Sequence, residues 1–336
     1  MQDKSVLRQL EELPYLAPYI DLIKTSIRID VFSSLTEPLT PSELAAKRGW
    51  HEGNTAYLLG ALTSIGFLRK EEAAFVNADE TQRFLVKGTP EYMGEFILFV
   101  SDSETGIPLD LECKVKSGPG EDQMPQSDGT VDFEAFGESL RAGQDGYRRL
   151  ELLNLIRSLP EYDSIHSVLD AGCSAGLLGL TVIGDKEERT GVLYDQVPPE
   201  LIEANVKAYG LEGRAKAVKG NLLTDPIGEG YDLILAIGVL SFVKQDLRGV
   251  LRKFYESLNP GGILVCISEG IEKDVTGPWD MVMGYLPYYL RGMPFALLKN
   301  EVADAAESEG FVKAEKRTLQ MAIGIQDIDI FRKPED

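Results

Sequence analysis

The residues best equipped for chemistry sit in one short run, Val168-Leu169-Asp170-Ala171-Gly172-Cys173-Ser174-Ala175-Gly176. An apolar strand end carries a carboxylate, and two glycines follow it in the spacing D-x-G-x-x-x-G. Glycine lets the backbone turn tightly and lets a ligand come close. A helix that starts directly afterwards turns its first amides toward an anionic group. The spacing is not G-x-G-x-x-G, so the dinucleotide fingerprint is absent. Asp195 lies 25 residues beyond Asp170 at the end of a second apolar run, with Gln196 beside it. A carboxylate there accepts from both hydroxyls of a ribose, or serves as a solvated strand end or helix cap. Gly220-Asn221-Leu222-Leu223 follows a third such run, where Asn221 can bond an adenine edge and Leu222 can lie against its face. Glu269 comes directly after a fifth run and reads equally as a general base or as a solvated loop carboxylate. The stretch 279–295, with Trp279, Tyr285, Tyr288 and Tyr289 among its aromatic and Met residues, reads as an apolar pocket wall or as a buried helix and dimer contact.

The elements that must position these residues follow from periodicity. From Ser167 onward, strand and helix patterns alternate: strands end at Asp170, Asp195, Lys219, Ile237 and Ser268, and helices lie between them. Such alternation predicts an α/β Rossmann-like domain, a parallel sheet with helices on both faces. Residues 311–317 and 321–331 close it as an antiparallel hairpin. In such a sheet ligands bind beyond the carboxyl ends of the strands, at the switch point. The N-terminal part reads differently. Apolar positions recur at helical spacing from Val6 to Phe32, and Thr40-Pro41 marks a helix start. A second amphipathic helix runs from Gly53 to Ile65, and two short strands follow. Helix, turn, helix, hairpin is the order of an all-α/winged-helix domain. The expected organisation is a winged-helix dimerisation domain over 1–100, an acidic linker with connecting helices over 101–150, and the ligand-binding Rossmann-like domain over 151–336.

Composition narrows the partners. The chain has 336 residues and a net charge of -20, which repels a phosphate backbone and an anionic membrane surface. The second helix of the winged helix, from Glu52 to Ile65, carries no Lys or Arg, so packing is favoured there over nucleic-acid binding. No apolar run is long enough to span a bilayer. Cys113, Cys173 and Cys266 are scattered and odd in number, which fits reduced cytoplasmic thiols and no disulfide framework. Two histidines, His51 and His166, cannot build a histidine-rich metal site, and no metal is expected.

Together the motifs resemble those of the class I S-adenosylmethionine-dependent methyltransferases. Over nearly the whole chain their order is similar to the small-molecule O-methyltransferase family of plant phenolic and acetylserotonin enzymes. The resemblance implies S-adenosylmethionine as cofactor. It places Asp170, Gly172, Ser174 and Gly176 at the methionine end, Asp195 and Gln196 at the ribose, Asn221 and Leu222 at the adenine, and Tyr147 among the cofactor contacts. It implies a homodimer with an acceptor pocket built from Ser241, Phe242, Trp279, Tyr285 and Tyr289, near the helices around Phe133 to Tyr147. The acceptor is expected to be small and aromatic or conjugated.

The pattern departs from the family at one position. The family's histidine base falls nine residues after an aspartate, and counting from Asp232 reaches Ser241. Three routes then remain: another base, with Glu269 best placed; an O, C or N nucleophile that needs none; or a reaction other than methylation, such as decarboxylation, hydroxylation or pericyclic chemistry. A ligand-sensing DNA-binding regulator is the further alternative, disfavoured by charge.

Overall fold

Thr40 shows how local sequence sets the first elements. Its hydroxyl caps the Glu43 amide and the Glu43 carboxylate returns to the Thr40 amide, a reciprocal box with Pro41 at the first helical position. The computed structural model describes residues 5–105, 111–118 and 133–335, and of 102–105 and 133–137 the backbone alone. The acidic stretch around Pro119-Gly120 and the Phe133 and Phe136 side chains therefore lie outside the described residues. Two compact units emerge, Met1–Asp102 with Asp145–Tyr147, and Ser103–Gln144 with Arg148–Asp336.

The first unit contains α1 (Val6–Arg28), α2 (Val31–Ser34), α3 (Pro41–Arg48), α4 (Glu52–Ser64), the hairpin β1 (Leu68–Glu71) and β2 (Ala74–Asn77), α5 (Asp79–Phe84) and most of α6 (Gly94–Thr105). The two apolar stretches before Phe32 fall on one long helix, α1, with Pro14 and Pro18 inside it, and on the short α2. Ile23, Ile27, Phe32, Leu44, Leu59, Leu62 and Phe75 form its core. His51 caps α4: its ring nitrogen accepts from the Asn54 amide.

The second unit continues with α7 (Leu111–Ser117), α8 (Phe133–Ala142), α9 (Tyr147–Arg157), β3 (Ser167–Ala171), α10 (Leu177–Gly184), β4 (Thr190–Asp195), α11 (Pro199–Ala208), β5 (Ala215–Lys219), β6 (Tyr231–Ile237), α12 (Leu247–Ser257), β7 (Leu258–Ser268), α13 (Trp279–Leu290), α14 (Glu301–Ser308), β8 (Val312–Met321) and β9 (Gly324–Arg332). The sheet order is β5-β4-β3-β6-β7-β9-β8. All pairs from β5 to β7 are parallel, and β9 is antiparallel to both β7 and β8. The chain leaves β3 toward β4 on one side and later returns to β6 on the other, so the switch point lies between β3 and β6.

Alternate residues of the central strands feed two cores. Val168, Leu233, Val265 and Ile267 face one side with α9 and α10 residues. Leu169, Ile234, Leu264 and Cys266 face the other with α12 and α14 residues. Each such buried aliphatic side chain contributes about 1.5–3 kcal/mol relative to exposure. Strand β7 begins at Leu258. Asn259-Pro260-Gly261-Gly262 reads as a helix stop and turn, but Gly261 and Gly262 exchange backbone hydrogen bonds with Lys333 at 3.0 and 2.9 Å, which extends the sheet through them. Among the described residues no helix is long and apolar enough to cross a membrane.

Candidate active site

The loop after β3 is fixed mainly by backbone groups. The amides of Gly172 and Cys173 both donate to Tyr194 O, at 2.8 and 3.1 Å. Gly172 has φ +75°, and a Cβ on it would come within 2.2 Å of Val239 Cγ2, so only glycine fits there. Ser174 also has positive φ, which turns its amide onto Asp195 Oδ2 at 2.7 Å. Gly176 then starts α10, and every side chain from Leu177 to Ile183 is buried. Gln144 clamps the same loop, donating to Cys173 O and accepting from the Leu177 amide. Arg189, fully buried, donates to Ile165 O, Val182 O and Tyr162 O, and so ties β3, α10 and β4 together. Nothing in the local sequence around Gln144 or Arg189 signals these tasks.

Asp195 closes the arrangement. Its Oδ1 accepts from the amides of Gln196 and Val197 at 2.6 and 3.1 Å, and its Oδ2 from Ser174. A carboxylate offers about four acceptor positions, so roughly one is left for a ligand hydroxyl, on Oδ2. Gln196 itself is exposed. Asp170 is buried and accepts from the Gly179 amide at 2.9 Å. Burial, reinforced by the Asp195 charge and opposed by that amide, pushes its carboxyl up to about 7. Asp170 thus ties the loop to α10. Asn221 forms an Asx turn: its Oδ1 accepts from the Leu223 amide. The expected use of that carbonyl for an adenine amino group therefore competes with a local bond. Leu222 is packed into the core, and Leu223 beside it is half-buried. Tyr147 belongs to the first unit, where its ring meets Phe84 edge-on at 5.4 Å.

The carboxyl ends of β6 and β7 hold a second group. Ser241 lies in the 3-10 turn Leu240–Asp246, buried, and its Oγ has no partner among the described residues other than the Tyr285 phenol beside it. Glu269 is 4% exposed, which overturns the solvated-carboxylate reading. Its Oε1 accepts from Tyr285 Oη at 2.5 Å and its Oε2 from the Leu297 amide at 3.2 Å. Burial, then the neighbouring carboxylate, push the Tyr285 phenol well above its ordinary range, with Ser241 beside it. Phe295 stacks on Phe242 and meets Tyr285 and Tyr288 edge-on, each pair at 5.4 Å. The structure thus brings Ser241, Phe242, Tyr285 and Glu269 together. It leaves Tyr289 64% exposed and Trp279, at the start of α13, 37% exposed. The wall of α13 is anchored from below: Asp280 Oδ2 accepts from the Ile325 amide at 2.8 Å.

His166 is not part of either group. It precedes β3, and its amide, with that of Ser167, donates to Asp232 Oδ2. A further feature escaped sequence reasoning. Arg148, Glu151 and Gln326 line a small enclosed cavity with Leu178, Ile237, Ile267 and Met321. Burial pushes the Glu151 carboxyl up.

Comparisons with known proteins bear on the two parts of the chain. Residues 169–264 match a methyltransferase domain, and residues 29–72 match the IclR helix-turn-helix domain. A 3-hydroxy-5-methyl-1-naphthoate 3-O-methyltransferase from Streptomyces sahachiroi is 23% identical over 72% of this chain and 70% of its own length. The N,N-dimethyltransferase OxyT from Streptomyces rimosus is 20% identical over 90% of each chain. The structure of human N-acetylserotonin methyltransferase in complex with SAM superposes with a TM-score of 0.68 at 18% identity, covering 99% of both chains. The chain is an S-adenosylmethionine-dependent methyltransferase with a Rossmann-like catalytic fold and a winged-helix N-terminal part. The matches do not favour the regulator or the non-methylating alternatives.

Proposed function

We propose that this chain is a homodimeric cytoplasmic enzyme that methylates a small aromatic hydroxy compound. The observation that carries the cofactor part is the Asp195 carboxylate, locked onto the Ser174 amide with one acceptor position to spare. In this reading Asp195 takes a ribose hydroxyl, Gln196 flanks it, and the half-buried Asn221 borders the adenine. Gly172, Ser174 and Gly176 shape the methionine end, and Asp170 supports that loop from behind. The sulfonium supplies an already activated methyl group. The protein's work is then to orient the acceptor in line, exclude water and dispose of a proton. The ring cluster of Phe242, Tyr285, Tyr288 and Phe295 suits a flat apolar acceptor. An aromatic hydroxyl as methyl acceptor also matches the name of the Streptomyces sahachiroi relative.

Calorimetry with S-adenosylhomocysteine tests this reading. Micromolar binding to the wild type is expected, with at least tenfold loss in Asp195→Asn. Absence of binding to the wild type would refute it. Support for the dimer comes from α1, where Val6, Leu10 and Leu13 recur at helical spacing on an exposed apolar face, with Leu7 and Tyr15 also exposed. Sedimentation should show a dimer that Leu10→Glu with Leu13→Glu converts to a monomer. A wild-type monomer at tens of micromolar would refute that part.

A further inference from the structure

The acceptor's proton needs a destination, and the geometry around Tyr285 supplies one. Glu269 lies behind the phenol, nearly sealed from solvent, with one oxygen on Tyr285 Oη and the other on the Leu297 amide. A carboxylate so covered cannot meet an acceptor hydroxyl directly. Tyr285 is half-buried on α13, in the ring cluster, and is the member of the pair open to a ligand. Ser241 is buried within hydrogen-bonding reach of that phenol, and its hydroxyl has no other partner among the described residues.

Resting on the reading of this site as a hydroxyl-methylating one, we propose that Tyr285 and Glu269 form a two-step proton shuttle steadied by Ser241. Tyr285 Oη receives the acceptor's hydroxyl proton while its own proton passes to Glu269 Oε1. Ser241 Oγ–H donates to the same phenolic oxygen as negative charge develops there. The acceptor oxygen bonds the methyl carbon, the carbon–sulfur bond breaks, and its electron pair stays on sulfur. One positive and one negative charge disappear: the sulfonium becomes a thioether and Glu269 becomes neutral. Tyr285 ends as it began. The shuttle therefore does the work of a base without leaving a phenolate, which the surrounding burial disfavours.

The titratable groups facing Tyr285 are Glu269 from the end of β7 and Tyr288 from its own helix. Lys244, from the turn that carries Ser241, is committed to Ala296 O and Glu301.

The test uses the full chain with S-adenosylmethionine and a series of hydroxynaphthoates whose hydroxyl acidity is graded by nitro substitution. In Tyr285→Phe, kcat should fall about 100-fold for the least acidic hydroxyls and less than threefold for those already ionised. KM and S-adenosylhomocysteine affinity should stay within threefold of wild type. A role in packing alone would lower kcat for all acceptors alike, and that result, or no loss at all, overturns the shuttle. Glu269→Gln keeps an acceptor for the Leu297 amide and should reproduce the same dependence on acidity, so the question survives if Tyr285→Phe folds poorly. Cofactor binding without methylation of any hydroxynaphthoate overturns the shuttle but leaves the cofactor reading standing. Failure to bind the cofactor overturns the proposed function itself.

Discussion

The ends of β3 and β4 and the ends of β6 and β7 lie on the same edge of one sheet but are built on different rules. At β3 and β4 the loop is held mostly by backbone: the amides of Gly172 and Cys173 donate to Tyr194 O and the Ser174 amide to Asp195. At β6 and β7 the contacts are side chain on side chain: Ser241, Glu269, Tyr285 and the ring of Phe295. A backbone surface resists substitution and suits one invariant cofactor. A side-chain surface changes by single substitutions and suits acceptor diversity within one fold.

Three substitutions sharpen that contrast. The largest expected effect is at Asp170, whose carboxyl sits at about 7 against an ordinary 3.8. A carboxyl raised by burial favours the folded state when protonated. Its contribution is complete below about pH 3.8 and is lost as the pH climbs through about 7. Asp170→Asn keeps an oxygen for the Gly179 amide and removes the charge. It should raise stability at pH 8, by as much as about 4 kcal/mol, with little change at pH 4. Urea denaturation at the two pH values measures this, and an equal change at both would contradict it. Next is Gly172→Ala, which forces positive φ on an alanine and a clash with Val239. A loss of roughly 2–3 kcal/mol is expected, with weaker S-adenosylhomocysteine binding. Unchanged stability and affinity would show that the loop is softer than its hydrogen bonds imply. The smallest effect is expected for Phe295→Ala, across the sheet edge. It removes a half-buried ring from the aromatic cluster, so stability should fall by about 1–2 kcal/mol and acceptor KM should rise severalfold. Cofactor affinity should stay unchanged.

The same contrast explains what could be read from the sequence. Asp170, Gly172, Ser174 and Gly176 are close in the chain, and Asp195 ends the very next strand, so spacing alone brought them together. The succession of strands along the chain and the closing hairpin were legible for the same reason: periodicity is local. Ser241, Glu269, Tyr285 and Leu297 come from separate turns, a strand end and a helix, and only tertiary packing joins them. Hence Glu269 left two readings open in the sequence, and its burial removes the solvated one alone. Gln144 and Arg189 were invisible for a related reason. Each works by bonding backbone groups far away in sequence, and no motif records that. The Asn259 to Gly262 stretch shows the converse error, where turn-forming residues were drawn into a strand by pairing with Lys333.

The central claim is that cofactor binding and proton handling are carried by separate ends of this sheet edge. Calorimetric titration of S-adenosylhomocysteine into the wild type, Asp195→Asn and Tyr285→Phe tests it in one series. The account predicts at least tenfold weaker binding for Asp195→Asn and wild-type affinity, within threefold, for Tyr285→Phe. Equal weakening in both variants, or none in Asp195→Asn, would contradict it.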